Sequence, residues 1–239
     1  MRYDNRNVGT AYGCWAKIPL EELNQDSVIY SFGAGEDICH EFILSGQTNS
    51  EIHIFDPTPR AKIHYDHCVK VLNTQKIGEY NPSFGGGDAN YEKYIKDSMA
   101  NGEKLLFHSY GIYDEDKEID FYYPSNRSHV SLSIDNLQRT KDKILLTVKT
   151  IDTIMKTLGH DTVDLVKMNI EGAEVASLLY MLEKTEIRPK LISVKFELIR
   201  DKRNSETEEK MTKLWAGLSK DYGIIYEDRP RFNYTFARN

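Results

Sequence analysis

The sequence predicts a doubly wound α/β fold, a mostly parallel sheet covered by helices on both faces and closed by an antiparallel hairpin. Three observations carry this. S-V-I-Y-S-F-G-A-G-E-D, from Ser27 to Asp37, is an apolar strand running into a glycine turn. E-I-H-I-F-D-P, from Glu51, is a second apolar strand ending on an acid, so the two bracket a helix in a βαβ unit built to hold a nucleoside. Near the end of the chain, Y-G-I-I-Y-E and F-N-Y-T-F-A flank the turn D-R-P-R, as a hairpin would.

The elements follow in order. Residues 1–26 hold no strong periodicity and read as a leading segment over the sheet, ahead of a single domain at 27–239. The first strand spans Ser27 to Phe32, and a helix from Glu36 to about Ser45 takes Gly46 as its C-cap. After the strand Glu51 to Phe55, Thr58 opens a second helix with Pro59 at its first position. Residues 82–103, with Gly85-Gly86-Gly87, Tyr91 and Tyr94, read as an inserted loop and short helix. Strands are expected at K-L-L-F-H from Lys104, at I-D-F-Y-Y from Ile119, and at the alternating H-V-S-L-S-I from His129. T-V-K-T, from Thr147, leads into a helix with Ile151, Ile154, Met155 and Leu158 on one side, closed by Gly159. Asp164 to Met168 is a buried strand, and Val175, Leu178, Leu179 and Leu182 mark an amphipathic helix. A strand from Leu191 follows, then a helix that a Ser205–Glu208 capping box opens.

Composition narrows the function. At 239 residues and 40% hydrophobic, the chain suits one α/β domain with a full core. A net charge of -6 argues against a duplex nucleic-acid or anionic-membrane partner. No apolar run approaches the roughly 18 residues of a membrane span. The N-terminus M-R-Y-D-N-R-N lacks the apolar core of a signal peptide. Cys14, Cys39 and Cys68 are odd in number and have no metal-ligand spacing, so they read as reduced thiols of a cytoplasmic protein with no metal centre.

Several residues point to a bound cofactor. Gly33 and Gly35 let the backbone turn tightly and approach a ligand, with Ser31 just before them. Asp56 stands 21 residues after Gly35, where it either accepts ribose hydroxyls or caps the helix that Thr58 begins; Pro57 adjoins it. The third glycine of a dinucleotide fingerprint is missing, because Ile38 holds its place. Glu36 and Asp37 would repel a pyrophosphate and suit a sulfonium with an α-ammonium, although acids at a helix start also answer the helix dipole. Tyr110 and Ile112, at the end of the third strand, are candidates for the adenine contact or for a plain exit from the sheet.

Taken together, V-I-Y-S-F-G-A-G-E-D-I from Val28, I-H-I-F-D-P-T-P-R from Ile52 and V-D-L-V-K-M-N-I-E-G-A-E from Val163 resemble the FkbM family of methyltransferases. H-V-S-L-S-I from His129 and N-V-G-T-A-Y-G-C-W from Asn7 are similar to two further family segments. The resemblance implies a class I methyltransferase sheet, S-adenosylmethionine as cofactor and O-methylation of a small hydroxylated acceptor such as a sugar or secondary metabolite. The chain departs from the family at Asn169, in M-N-I-E-G, where the family commonly has an aspartate.

Ligands in such sheets bind outside the carboxyl ends of the strands, which brings Asn169, Glu171 and Glu174 within reach of the site. Glu171 is the first candidate for general base or acceptor anchor, with a helix-start acid as the plain alternative. His129 is the second, since an imidazole titrates in the useful range. His108 reads as structural. Tyr12 and Trp15 read equally as a lid over the cofactor or as an aromatic plug. Two other functions fit the same residues: a nicotinamide-dependent oxidoreductase, and a non-catalytic module of methyltransferase fold, which Asn169 keeps open.

Overall fold

The computed structural model describes residues 10, 12–76, 88–126, 132–134, 136, 139–196 and 205–239, with side chains from 208 onward in the last stretch. In chain order the elements are β1 (Val28–Phe32), α1 (Cys39–Thr48), β2 (Glu51–Phe55), α2 (Pro59–Thr74), α3 (Tyr91–Asp97), β3 (Leu105–His108), β4 (Gly111–Ile112), β5 (Lys117–Tyr122) and β6 (Lys143–Lys149). They continue with α4 (Ile151–Leu158), β7 (Leu165–Met168), α5 (Glu174–Lys184), β8 (Leu191–Lys195), α6 (Ser205–Asp221), β9 (Tyr222–Asp228) and β10 (Asn233–Arg238).

Among the described residues the main sheet has seven strands in the order β3-β2-β1-β7-β8-β10-β9. The first five are parallel, and β10 runs antiparallel between β8 and β9. This is the class I methyltransferase sheet with its closing hairpin. Alternation along the strands sorts the core into two layers. Tyr30, Phe32, Phe55 and Met168 face α4, α5 and α6. Ile29, Ile52, Ile54 and Leu165 face α1, α2 and α3, and Ala16, Ile18 and Leu23 of the leading segment join that layer.

Local chemistry explains two of the element ends. The Thr58 hydroxyl accepts from the Ala61 N–H ahead of Pro59, and Gly159 closes α4 at φ +76°. Two expectations are corrected. The first helix begins at Cys39 rather than Glu36 and ends at Asn49, which takes the left-handed conformation that Gly46 was expected to supply. Gly46 lies inside α1, where a Cβ would stand 1.7 Å from the Ser98 carbonyl oxygen, so close approach of two backbones explains it. Second, K-I-L-L-T-V-K is itself strand β6, paired with β5 and β4 in a separate three-stranded sheet. Of the expected strand from His129, the described part is Leu132 to Ile134, which makes one antiparallel bridge, Tyr122 to Ser133. The Gly85–Gly87 run and the start of the Ser205–Glu208 capping box fall outside the described residues or side chains.

Candidate active site

A cleft opens at the carboxyl ends of β1, β2 and β7, where ligands of such sheets bind. Its floor is the glycine turn. Gly33 has φ +90°, and a Cβ there would lie 2.0 Å from the Asn169 carbonyl oxygen, so β1 and β7 close together only around a glycine. Gly33, Gly35, Glu36, Asp37, Asp56, Pro57, Ile112, Asn169 and Glu171 all line this cleft, as do Tyr12 and Trp15. Ser31 and Tyr110 do not. The Ser31 hydroxyl donates to Glu41 beneath the floor (2.6 Å). The Tyr110 ring packs on Phe55, with the Lys149 ammonium 4.4 Å from its centre, and Gly111 and Ile112 reach the cleft in its place. His129 lies outside the described residues.

The acids of the wall do different work. Asp56 Oδ2 accepts from the Ala34 and Gly35 N–H groups (3.0 and 2.9 Å). Its Oδ1 accepts from the Thr58 N–H and hydroxyl (2.8 and 2.6 Å). Four donors fill the four lone-pair positions of a carboxylate. The acid expected to receive ribose hydroxyls is therefore engaged in pinning the turn and the start of α2. Asp37 is also engaged, with the Thr10 hydroxyl on one oxygen and the Cys39 N–H on the other (3.2 Å). Burial pushes its carboxyl up from the usual range. Thr10 also accepts from the Gly13 N–H, so Asp37 draws the leading segment down onto the cleft.

Glu36 differs. Its Oε1 takes the Arg60 guanidinium (2.7 Å), while Oε2 is buried without a hydrogen-bond partner. In the same lining, Asn169 Oδ1 is buried and equally unpartnered. Buried polar atoms are nearly always satisfied, so two unpartnered acceptors on residues that line one cleft are candidate partners for the donors of a ligand. Pro57, Ile112, Phe121 and Leu132 give the lining an apolar part.

Asn169 and Glu171 sit on the loop between β7 and α5, and Glu174 builds that loop. Its carboxylate oxygens accept from the Ile170 and Gly172 N–H groups (3.0 and 2.9 Å). Burial pushes its carboxyl up to about 7. Glu174 thus shapes the loop, while Glu171 takes a left-handed backbone (φ +54°) and is among the residues that line the cleft. The Ser133 hydroxyl donates to the Glu171 carbonyl (2.8 Å) and holds that turn.

Sequence reasoning missed Lys167. Its ammonium is paired with Glu41 (2.7 Å) under the cleft and lies 5.4 Å from the centre of the Trp15 ring. Burial is the largest influence and works to raise the Glu41 carboxyl, but the Lys167 and His40 charges and the hydrogen bonds from Lys167 and Ser31 together outweigh it and hold the acid below its ordinary value. A lysine inside the fully buried strand L-V-K-M was the available signal, since a buried charge requires a partner. Phe121 and Leu132 were also missed; they belong to the second sheet and the chain beside it.

The sequence matches the methyltransferase FkbM domain over residues 28–224. No curated protein matches it. Solved structures that superpose on the chain include an FkbM methyltransferase from Methylobacillus flagellatus KT, with 14% identity and TM-score 0.48, covering 95% of this chain and 50% of that one. Others are an rRNA methylase from Streptococcus thermophilus (6% identity, TM-score 0.41, 92% and 90%) and the fibrillarin pre-rRNA processing protein of Methanococcus jannaschii (11%, 0.41, 94% and 71%). The chain spans about half the length of the Methylobacillus protein. Identities and scores this low carry no weight in the assignment, which rests on a domain match over most of the chain. The chain belongs to the FkbM family of methyltransferases.

Proposed function

We propose that this methyltransferase uses S-adenosylmethionine to methylate a hydroxyl of a small acceptor, a sugar or secondary metabolite being the class that fits. The observation carrying the reading is the pair of buried, unpartnered acceptors, Glu36 Oε2 and Asn169 Oδ1, in one cleft above a glycine turn. S-adenosylmethionine brings donors for such acceptors, a flat ring for the Ile112–Phe121–Leu132 wall, and a positive charge that Glu36 and Asp37 favour. When bound it supplies a methyl group on a sulfonium, whose thioether leaves without needing a proton.

The chain's own residues then have two tasks. The first is to hold the acceptor oxygen in line, and orientation of this kind is worth roughly 7–11 kcal/mol. The second is to take the hydroxyl proton. Glu171, on the turn that lines the cleft, is the first candidate for it, and a positioned base contributes typically about 10²–10⁴-fold. His129 is the further candidate base. The net charge of -6 supports a small acceptor over a polyanion.

Transfer of labelled methyl groups from S-adenosylmethionine to a panel of hydroxylated compounds tests this. Wild-type protein is expected to methylate at least one. Glu171→Gln should lower turnover by about 10²–10⁴-fold while S-adenosylhomocysteine affinity stays within twofold. A fully active Glu171→Gln removes Glu171 as the base, and transfer to nitrogen or carbon alone would overturn O-methylation.

A further inference from the structure

At the other end of β2, away from the cleft, three side chains converge that methyl transfer does not use. Glu51 and His53 lie on the same face of β2, and His160 follows the C-cap of α4. Glu51 Oε1 stands 2.6 Å from His53 Nε2 and 3.4 Å from His160 Nε2, and all three ligand atoms lie within 4.8 Å of one another. We propose that Glu51, His53 and His160 bind a divalent transition-metal ion of borderline softness, with Zn²⁺ as the working probe.

The chemistry fits on two counts. Two imidazoles and one carboxylate form a ligand set suited to zinc, leaving a fourth position for water. Tetrahedral bonds of about 2.0–2.1 Å place ligand atoms roughly 3.3 Å apart, so side-chain shifts on the order of 1 Å close the site. Second, both imidazoles are oriented from behind, as metal-bound histidines usually are. His53 Nδ1 lies 2.8 Å from His108 Nε2, and His160 Nδ1 lies 2.7 Å from the Tyr30 hydroxyl. Each of these hydrogen bonds works in both directions. Without metal, His108 and Tyr30 donate and the two Nε2–H groups point at Glu51. With metal, each Nδ1–H donates outward and each Nε2 lone pair turns to the ion.

The frame is rigid where it must be and open where it can be. Tyr30 and His53 are register partners on adjacent central strands. His160 is fixed by its N–H, which donates to the Met155 carbonyl at the end of α4 (3.0 Å). His53 is 3% exposed and His160 15%, but Glu51 is 40% exposed, which gives the ion its entry path and its water. An ion here ties β2 to the end of α4 across β1.

Calorimetric titration of Zn²⁺ tests the proposal, using full-length Cys14→Ser protein because Cys14 and Cys39, with sulfurs 3.1 Å apart, would compete for zinc. The expected result is one equivalent bound. Affinity should fall at least tenfold in both Glu51→Gln and His160→Gln, and by about 10–100-fold in Tyr30→Phe, which removes only an orienting group. Should a variant fail to fold, the visible spectrum of Co²⁺ added to the Cys14→Ser protein decides. An intense tetrahedral band supports the site, and a pale octahedral spectrum overturns it. Absence of zinc binding, or binding undiminished in Glu51→Gln and His160→Gln, also overturns it. The outcome is independent of methyl transfer.

Discussion

Glu174 shows how one buried carboxylate shapes a site without facing it. Its two oxygens hold the N–H groups on either side of Glu171, and burial raises its carboxyl to about 7 against an ordinary 4.5. The folded protein keeps this proton to a higher pH than the unfolded chain, so folding takes up a proton between those values. Stability linked to Glu174 is therefore full below about 4.5 and falls as pH rises through about 7. Urea denaturation of wild type and Glu174→Gln should show the wild type's relative stability declining across that window by on the order of 3 kcal/mol. A pH-independent difference would mean that Glu174 is ionised throughout. Glu36 and Asp56 make the complementary point. Both are acids in the same wall, but Asp56 is filled by the backbone it pins, while Glu36 keeps one oxygen open.

At the scale of elements, α1 carries the sharpest prediction. Helix propensity alone makes Gly→Ala in a helix interior stabilising by about 1 kcal/mol. At Gly46 the new Cβ would meet the Ser98 carbonyl at 1.7 Å, so Gly46→Ala should destabilise, by about 1–3 kcal/mol in thermal or urea unfolding. A stabilised variant would show that the segment after α3 yields freely. This contact also explains why the sequence misleads here. A glycine near a helix end reads as a cap, and its true partner is more than fifty residues away. Elements governed by neighbours in sequence were legible: the Phe32–Gly35 turn, the Thr58–Pro59 start, the Gly159 stop and the closing hairpin. Strand β6 was not, because it pairs with distant strands and buries only Val148 fully. The site divides in the same way. Its glycine turn and the Asn169–Glu171 loop stood out as motifs. The Lys167–Glu41 pair, the filling of Asp56 and the Glu51–His53–His160 group arise only when separate elements meet.

For the molecule as a whole, the two faces of the sheet are packed and its carboxyl edge is left to the ligand. The leading segment, drawn down by Asp37, brings Tyr12 and Trp15 to the mouth of the cleft, and the small second sheet supplies an apolar part of its lining. Every part of that arrangement bears on the proposal that a cofactor binds beside Glu36 and Asn169. Titration of S-adenosylhomocysteine into the purified protein by calorimetry tests this most directly, since the ligand binds without reacting. The expected result is saturable binding that weakens by about 1–3 kcal/mol in Glu36→Gln, where the charge and one acceptor are lost. Absence of binding to wild type, or equal binding by Glu36→Gln, would contradict the site proposed for it.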